Sequence, residues 1–78
     1  MDTEKEIIVD ARGHRCPVPT LRLRRAVERA PAGSVLRLLA DDPMARIDAP
    51  HFVEAAGLEL LSLADENGAL TVRVRKPL

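Results

Sequence analysis

Ile7-Ile8-Val9-Asp10-Ala11-Arg12-Gly13-His14-Arg15-Cys16-Pro17-Val18-Pro19 runs from a strand through a loop into the start of a helix. Ile7 to Val9 is a β-branched run, which fits a pleated surface, and predicts a first strand ending near Asp10. Ala11 to Arg15 shows no periodicity and reads as a loop. Proline suits the first helical position, where its missing N–H would have no partner, so a helix is expected from Pro17 to about Ala30. Thr20, Leu23, Ala26, Val27 and Ala30 fall on one face of that helix and should pack on a sheet. Pro31-Ala32-Gly33 stops it.

Working outward, Ser34 to Ala40 predicts a second strand, with Leu36, Leu38 and Ala40 pointing one way and Val35, Arg37 and Leu39 the other. Asp41-Asp42-Pro43 breaks it. Pro50 would damage a helix interior but suits a first turn. Met44 to Ile47 is therefore read as a turn and Asp48 to Ala56 as a second helix, with Asp48 near the cap and Gly57 at the stop. Leu58 to Leu63 and Ala69 to Lys76 are two more strands, joined through Asn67-Gly68, a strong tight-hairpin signal.

The order β-α-β-α-β-β follows. Strand–helix–strand units favour parallel pairing by right-handed crossovers, and the final hairpin must be antiparallel. The expected fold is an α/β two-layer sandwich, a four-stranded mixed sheet with two helices on one face. The 78 residues make a single domain, 1–78, with the charged segment 1–6 expected to be a flexible N-terminus.

Composition narrows the function. Twelve basic residues balance twelve acidic ones, and one Phe is the only aromatic of the Phe, Tyr and Trp types. A neutral chain poor in stacking surfaces argues against direct nucleic-acid binding. No stretch approaches the roughly 20 apolar residues that cross a bilayer, and no secretory leader is read at the start. A single cysteine cannot form an internal disulfide, so a reducing, cytoplasmic setting is expected. Cys16 has no second cysteine for a redox couple, and with only His14 and His51 as histidines a structural metal site is not expected.

The chemistry centres on Cys16. With Pro17 at the first helical position, Cys16 becomes the capping residue, at the positive end of the helix dipole. Prolines 17 and 19 delete two donors, and the remaining Val18 N–H is one that a capping side chain captures. That bond, the dipole, and Arg12, Arg15 or His14 if close would all favour a thiolate. A lone cysteine also serves as a small buried hydrophobe. The loop-to-helix junction weighs against that reading here.

Val18, Arg22, Arg25 and Arg29 form a ridge at helical spacing, roughly opposite the apolar face, with Leu21 beside it. The ridge reads either as a solvated face softened by Glu28 or as a docking surface for an acidic partner. Asp41, Asp42 and Asp48 are read as turn and cap residues before a metal or acid–base set, and His51 as packed or surface.

The segment Asp10-x-x-Gly13-x-x-Cys16-Pro17-x-Pro19 resembles the signature of the TusA/SirA family of sulfur carriers. Asp41-Asp42-Pro43, Asp48-x-Pro50, Gly57 and Glu59-Leu60 resemble the same family downstream, so the likeness extends from about Ile8 to Lys76. The resemblance implies a two-layer α/β sandwich in the same element order. It further implies that Cys16 takes a sulfane sulfur as a persulfide and passes it to a partner's cysteine, with Gly13, Pro17 and Pro19 as shaping residues. Donors in such a family include cysteine desulfurases and rhodaneses, and acceptors include DsrE-like proteins. The routes served are 2-thiouridine formation in transfer RNA, molybdenum-cofactor synthesis and sulfur oxidation. No cofactor is implied, and nothing demands more than a monomer. Such a protein is a carrier with transferase chemistry more than a free-standing enzyme. The rival readings are an adaptor or thiol-based regulator using the same surface, and a nucleic-acid binder supported only by the arginine ridge.

Overall fold

Leu36, Leu38 and Ala40 are fully buried, while Val35, Arg37 and Leu39 between them stay half-exposed. This two-residue alternation fixes which face of the second strand meets the core. The computed structural model describes residues 6–15 and 18–78. Its elements are β1 (Glu6–Asp10), α1 (Val18–Arg29), β2 (Val35–Ala40), α2 (Ala45–Ala55), β3 (Glu59–Glu66) and β4 (Ala69–Arg75).

The sheet order is β1-β2-β4-β3. β1 runs parallel to β2, with Val9 opposite Leu38, and both β2–β4 and β3–β4 are antiparallel. The β3–β4 turn carries positive φ at both Asn67 (53°) and Gly68 (81°), as a tight hairpin of that residue pair requires. Val9, Leu36, Leu38, Leu70, Val72 and Val74 from the strands close on Leu23 of α1 and on Ala45, Ala49 and Val53 of α2. Both helices therefore cover one face, side by side, with the Arg24 guanidinium 5.7 Å from the Phe52 ring centroid. The four-stranded mixed sheet with two helices on one face is as expected.

The other face of the sheet is open. There Glu6 ties β1 to the central strands: Arg73 Nε donates to its Oε2 at 2.9 Å. Arg37 Nε lies 3.0 Å from Oε1 but off the line a hydrogen bond needs, so that contact is a charge pair only. Glu6 thus belongs to β1, opposite Val35, and not to a free N-terminal segment.

The largest departure from expectation is α2, which begins at Ala45 and carries Pro50 inside it. Asp42 explains the early start. Its Oδ1 accepts the Met44 N–H at 3.3 Å, and its carbonyl accepts the Ala45 N–H at 2.9 Å. The first turn then runs on short-range bonds, including Ile47 N–H to the Met44 carbonyl at 3.0 Å. Ala45, Ala49 and Val53 form one buried stripe that spans the proline, so core packing extends the helix where Pro50 alone would have delayed it. β3 also runs on to Glu66, past Leu63, because its pairing with β4 continues to the hairpin, Glu66 opposite Ala69.

Candidate functional site

Parallel pairing of β1 and β2 places the loops that leave their C-terminal ends side by side. In open α/β sheets this is the edge at which sites are built. The first loop, residues 11–15, leads toward Cys16; the second, 41–44, leads into α2. Cys16 and Pro17, assigned from sequence as the reactive and a shaping residue, lie outside the described residues, between Arg15 and the first residue of α1.

The first loop is held at several points. Ala11 N–H donates to the Leu39 carbonyl at 2.8 Å, continuing the strand ladder one residue beyond β1. His14 N–H donates to the Ala11 carbonyl at 3.2 Å and closes a turn. Between them Gly13 has φ of +86°, which side-chain-bearing residues avoid, and no atom would meet a Cβ there within 4 Å. Its backbone conformation, and not crowding, is what makes glycine fit. Gly13 N–H donates to Oδ1 of Asp41 at 2.9 Å, joining the two loops. Together with Met44, 48% exposed, the loops line an open hollow of about 480 Å³ that includes Arg15, Asp42 and Pro43.

Arg12 is not a free cation. Its Nε and a terminal nitrogen donate to the two oxygens of Asp10 at 2.9 and 2.8 Å, and its backbone N–H adds a third bond at 3.1 Å. These bonds, the side-chain pair first, hold the Asp10 carboxyl well below the usual range, at about 2. The same carboxylate pushes the Arg12 guanidinium pKa upward. Arg12 therefore braces the start of the loop, while Arg15 is exposed. Val18 N–H donates to the Arg15 carbonyl at 2.9 Å; the expected bond to the cysteine sulfur falls on Cys16, outside the described residues.

Pro19, expected as a shaping residue, is fully buried in the first turn of α1 and so packs into the interior. The Arg22, Arg25 and Arg29 side chains of the ridge are exposed, and with Val18 they line an open groove of about 540 Å³, Leu21 beside them on α1 and Ile7, Ile8, Val9 and Asp10 of β1 on the other side. β1 is the edge strand next to which α1 sits, so a ridge leaning off the core falls over that edge. Asp41, expected as a turn former, also anchors the first loop through the Gly13 N–H. Its signal was present in the placement of an Asp pair directly after the strand parallel to β1.

Among the described residues no three of His, Cys, Asp and Glu converge as a metal set. No helix among them is long and apolar enough to cross a membrane.

Residues 7–76 match the family described as Sulfurtransferase TusA. The chain is 37% identical over 75 residues to the sulfur carrier protein TusA of Pseudomonas putida (strain W619), covering 96% of this chain and 94% of that protein. It is 40% identical over 68 residues to a putative sulfur carrier protein of Archaeoglobus fulgidus, covering 86% of this chain and 88% of the relative. Among solved structures, a SirA-like protein of Desulfitobacterium hafniense superposes with a TM-score of 0.79 at 30% identity, over 92% of this chain and 99% of that one.

Proposed function

The chain belongs to the TusA family of sulfur carriers, and on that footing we propose that Cys16 takes up a sulfane sulfur as a persulfide and relays it to a partner's thiol. The observation that carries this reading is that the family match, residues 7–76, spans Cys16, the only thiol in the chain.

In the uptake step the Cys16 thiolate attacks the terminal sulfur of a donor persulfide. The bond between that sulfur and the donor sulfur breaks, a Cys16 S–S bond forms, and the donor leaves as a thiolate. Delivery is the same exchange with the partner's thiolate as attacker. No external oxidant or cofactor enters, because the sulfane sulfur keeps its oxidation state. Arg15, exposed near the end of the loop, is the cation that favours the anionic forms, and the Arg12–Asp10 brace keeps the loop in place. Gly13, Pro17 and Pro19 shape the approach to the cysteine.

The donor is a cysteine desulfurase or a rhodanese and the acceptor a DsrE-like or other sulfur-accepting protein, both docking over Val18, Leu21, Arg22, Arg25 and Arg29. The protein works as a monomer in the cytoplasm, feeding transfer-RNA thiolation, molybdenum-cofactor synthesis or sulfur oxidation. A cysteine desulfurase supplied with sulfur-labelled cysteine tests the assignment. Wild type should retain label that reductant releases, and Cys16→Ser should retain none; equal labelling of both proteins would overturn it.

A further inference from the structure

The groove beside β1 has three properties that together define an occupant. First, β1 is an edge strand. Ala11 N–H bonds to Leu39, and Val9 pairs with Leu38, so the odd-numbered residues spend their backbone groups on β2. In an extended strand the alternate residues Glu6, Ile8 and Asp10 then turn N–H and C=O outward. Second, the helix flank of the groove is cationic. No described carboxylate lies within ion-pair distance of Arg25 or Arg29, while Arg22 helps hold Asp10 ionised at the loop end. Third, Ile8 is 54% exposed on the open face of the sheet and Leu21 is 53% exposed on the helix.

We propose that β1 accepts an extended, acidic segment of a partner protein as a fifth strand, with its carboxylates turned to Arg22, Arg25 and Arg29. This rests on the sulfur-carrier reading and names how the partner of that site docks. Side chains of an added strand alternate between faces, so acidic residues would point to α1 and apolar ones would cover Ile8. Arg22 to Arg29 spans about 10 Å of helix. Three alternate strand residues span about 13 Å, within reach of flexible guanidinium arms. A second copy of this chain is disfavoured as the occupant, because edge-to-edge pairing would set two arginine ridges against each other. Nucleic acid would meet the charge but leave the outward backbone groups of β1 without partners.

The test titrates isotope-labelled protein with a ten-residue peptide of alternating glutamate and valine. A lysine–valine peptide and an oligouridylate of equal length serve as comparisons. Only the acidic peptide should shift the Glu6, Ile8 and Asp10 amides and slow their hydrogen exchange. Ile8→Pro removes an outward N–H that β2 does not use, so it should keep the fold and abolish binding. The double variant Arg25→Glu/Arg29→Glu, altered only at exposed positions, should weaken binding by roughly tenfold or more. Shifts confined to α1, or equal binding of the oligouridylate, would overturn the proposal, as would unchanged binding by folded Ile8→Pro. The same samples are treated with inorganic polysulfide. Failure of Cys16 to gain sulfur there would count against the sulfur-carrier reading alone, since that small donor needs no docking.

Discussion

The Gly13 N–H donates to Oδ1 of Asp41 at 2.9 Å, across 28 residues of chain. This bond ties the loop ahead of Cys16 to the turn that starts α2, so that loop is held by the neighbouring strand as well as by its own. Asp41→Ala should leave the fold intact, since Asp41 is exposed, and cost about 1 kcal/mol. The diagnostic change is local: hydrogen exchange at the Gly13 amide should rise well above that of the β2 amides. An unchanged Gly13 amide would show that the bond does not hold the loop.

Gly13→Ala should cost about 1–2 kcal/mol in thermal or denaturant unfolding, all of it from the backbone. With φ at +86° and no atom within 4 Å of an added Cβ, no clash contributes. Gly13→Asn, whose side chain tolerates that region better, should recover part of the loss.

The Asp10–Arg12 pair predicts a pH response with a definite sign. The Asp10 carboxyl is lowered from 3.8 to about 2, so the stability it contributes is present above pH 4 and lost as pH falls through its folded value. Carbon-detected titration of Asp10 should show the depressed midpoint. In Arg12→Ala the midpoint should return toward 3.8, because the bonds that lower it come chiefly from that side chain.

Lys76 closes the far end of α1. Its Nζ donates to the carbonyls of Val27 and Ala30, both at 2.8 Å, supplying the cation and donors that a helix C-terminus lacks. Lys76→Met keeps most of the apolar stem and should lose about 1–2 kcal/mol. For a domain of this size that lowers the melting temperature by about 4–8 °C per kcal/mol. A melting temperature equal to wild type would mean that solvent serves those carbonyls equally well.

Local chemistry made much of this architecture readable. Asn67-Gly68 carried its own turn, and Leu36, Leu38 and Ala40 declared a buried face by alternation. The start of α2 did not, because Pro50 is a strong local signal for a helix beginning. What overrode it is a buried stripe of Ala45, Ala49 and Val53, and small alanines give a weak apolar pattern. At the site, the residue types were legible but their allegiances were not. Arg12, expected to support a thiolate, is tied to Asp10, and the Val18 N–H donates to the Arg15 carbonyl. The Asp41 anchor and the Lys76 clamp join segments far apart in the chain, which no spacing rule along one element can foresee.

The persulfide on Cys16 is tested most directly by intact mass. The reduced protein is incubated with a rhodanese and thiosulfate, separated from them, and weighed before and after reduction. Our reading predicts a gain of one sulfur atom that reduction removes, with no gain in Cys16→Ser. A protein that keeps its unmodified mass with active rhodanese, and again with a cysteine desulfurase and cysteine, would contradict it.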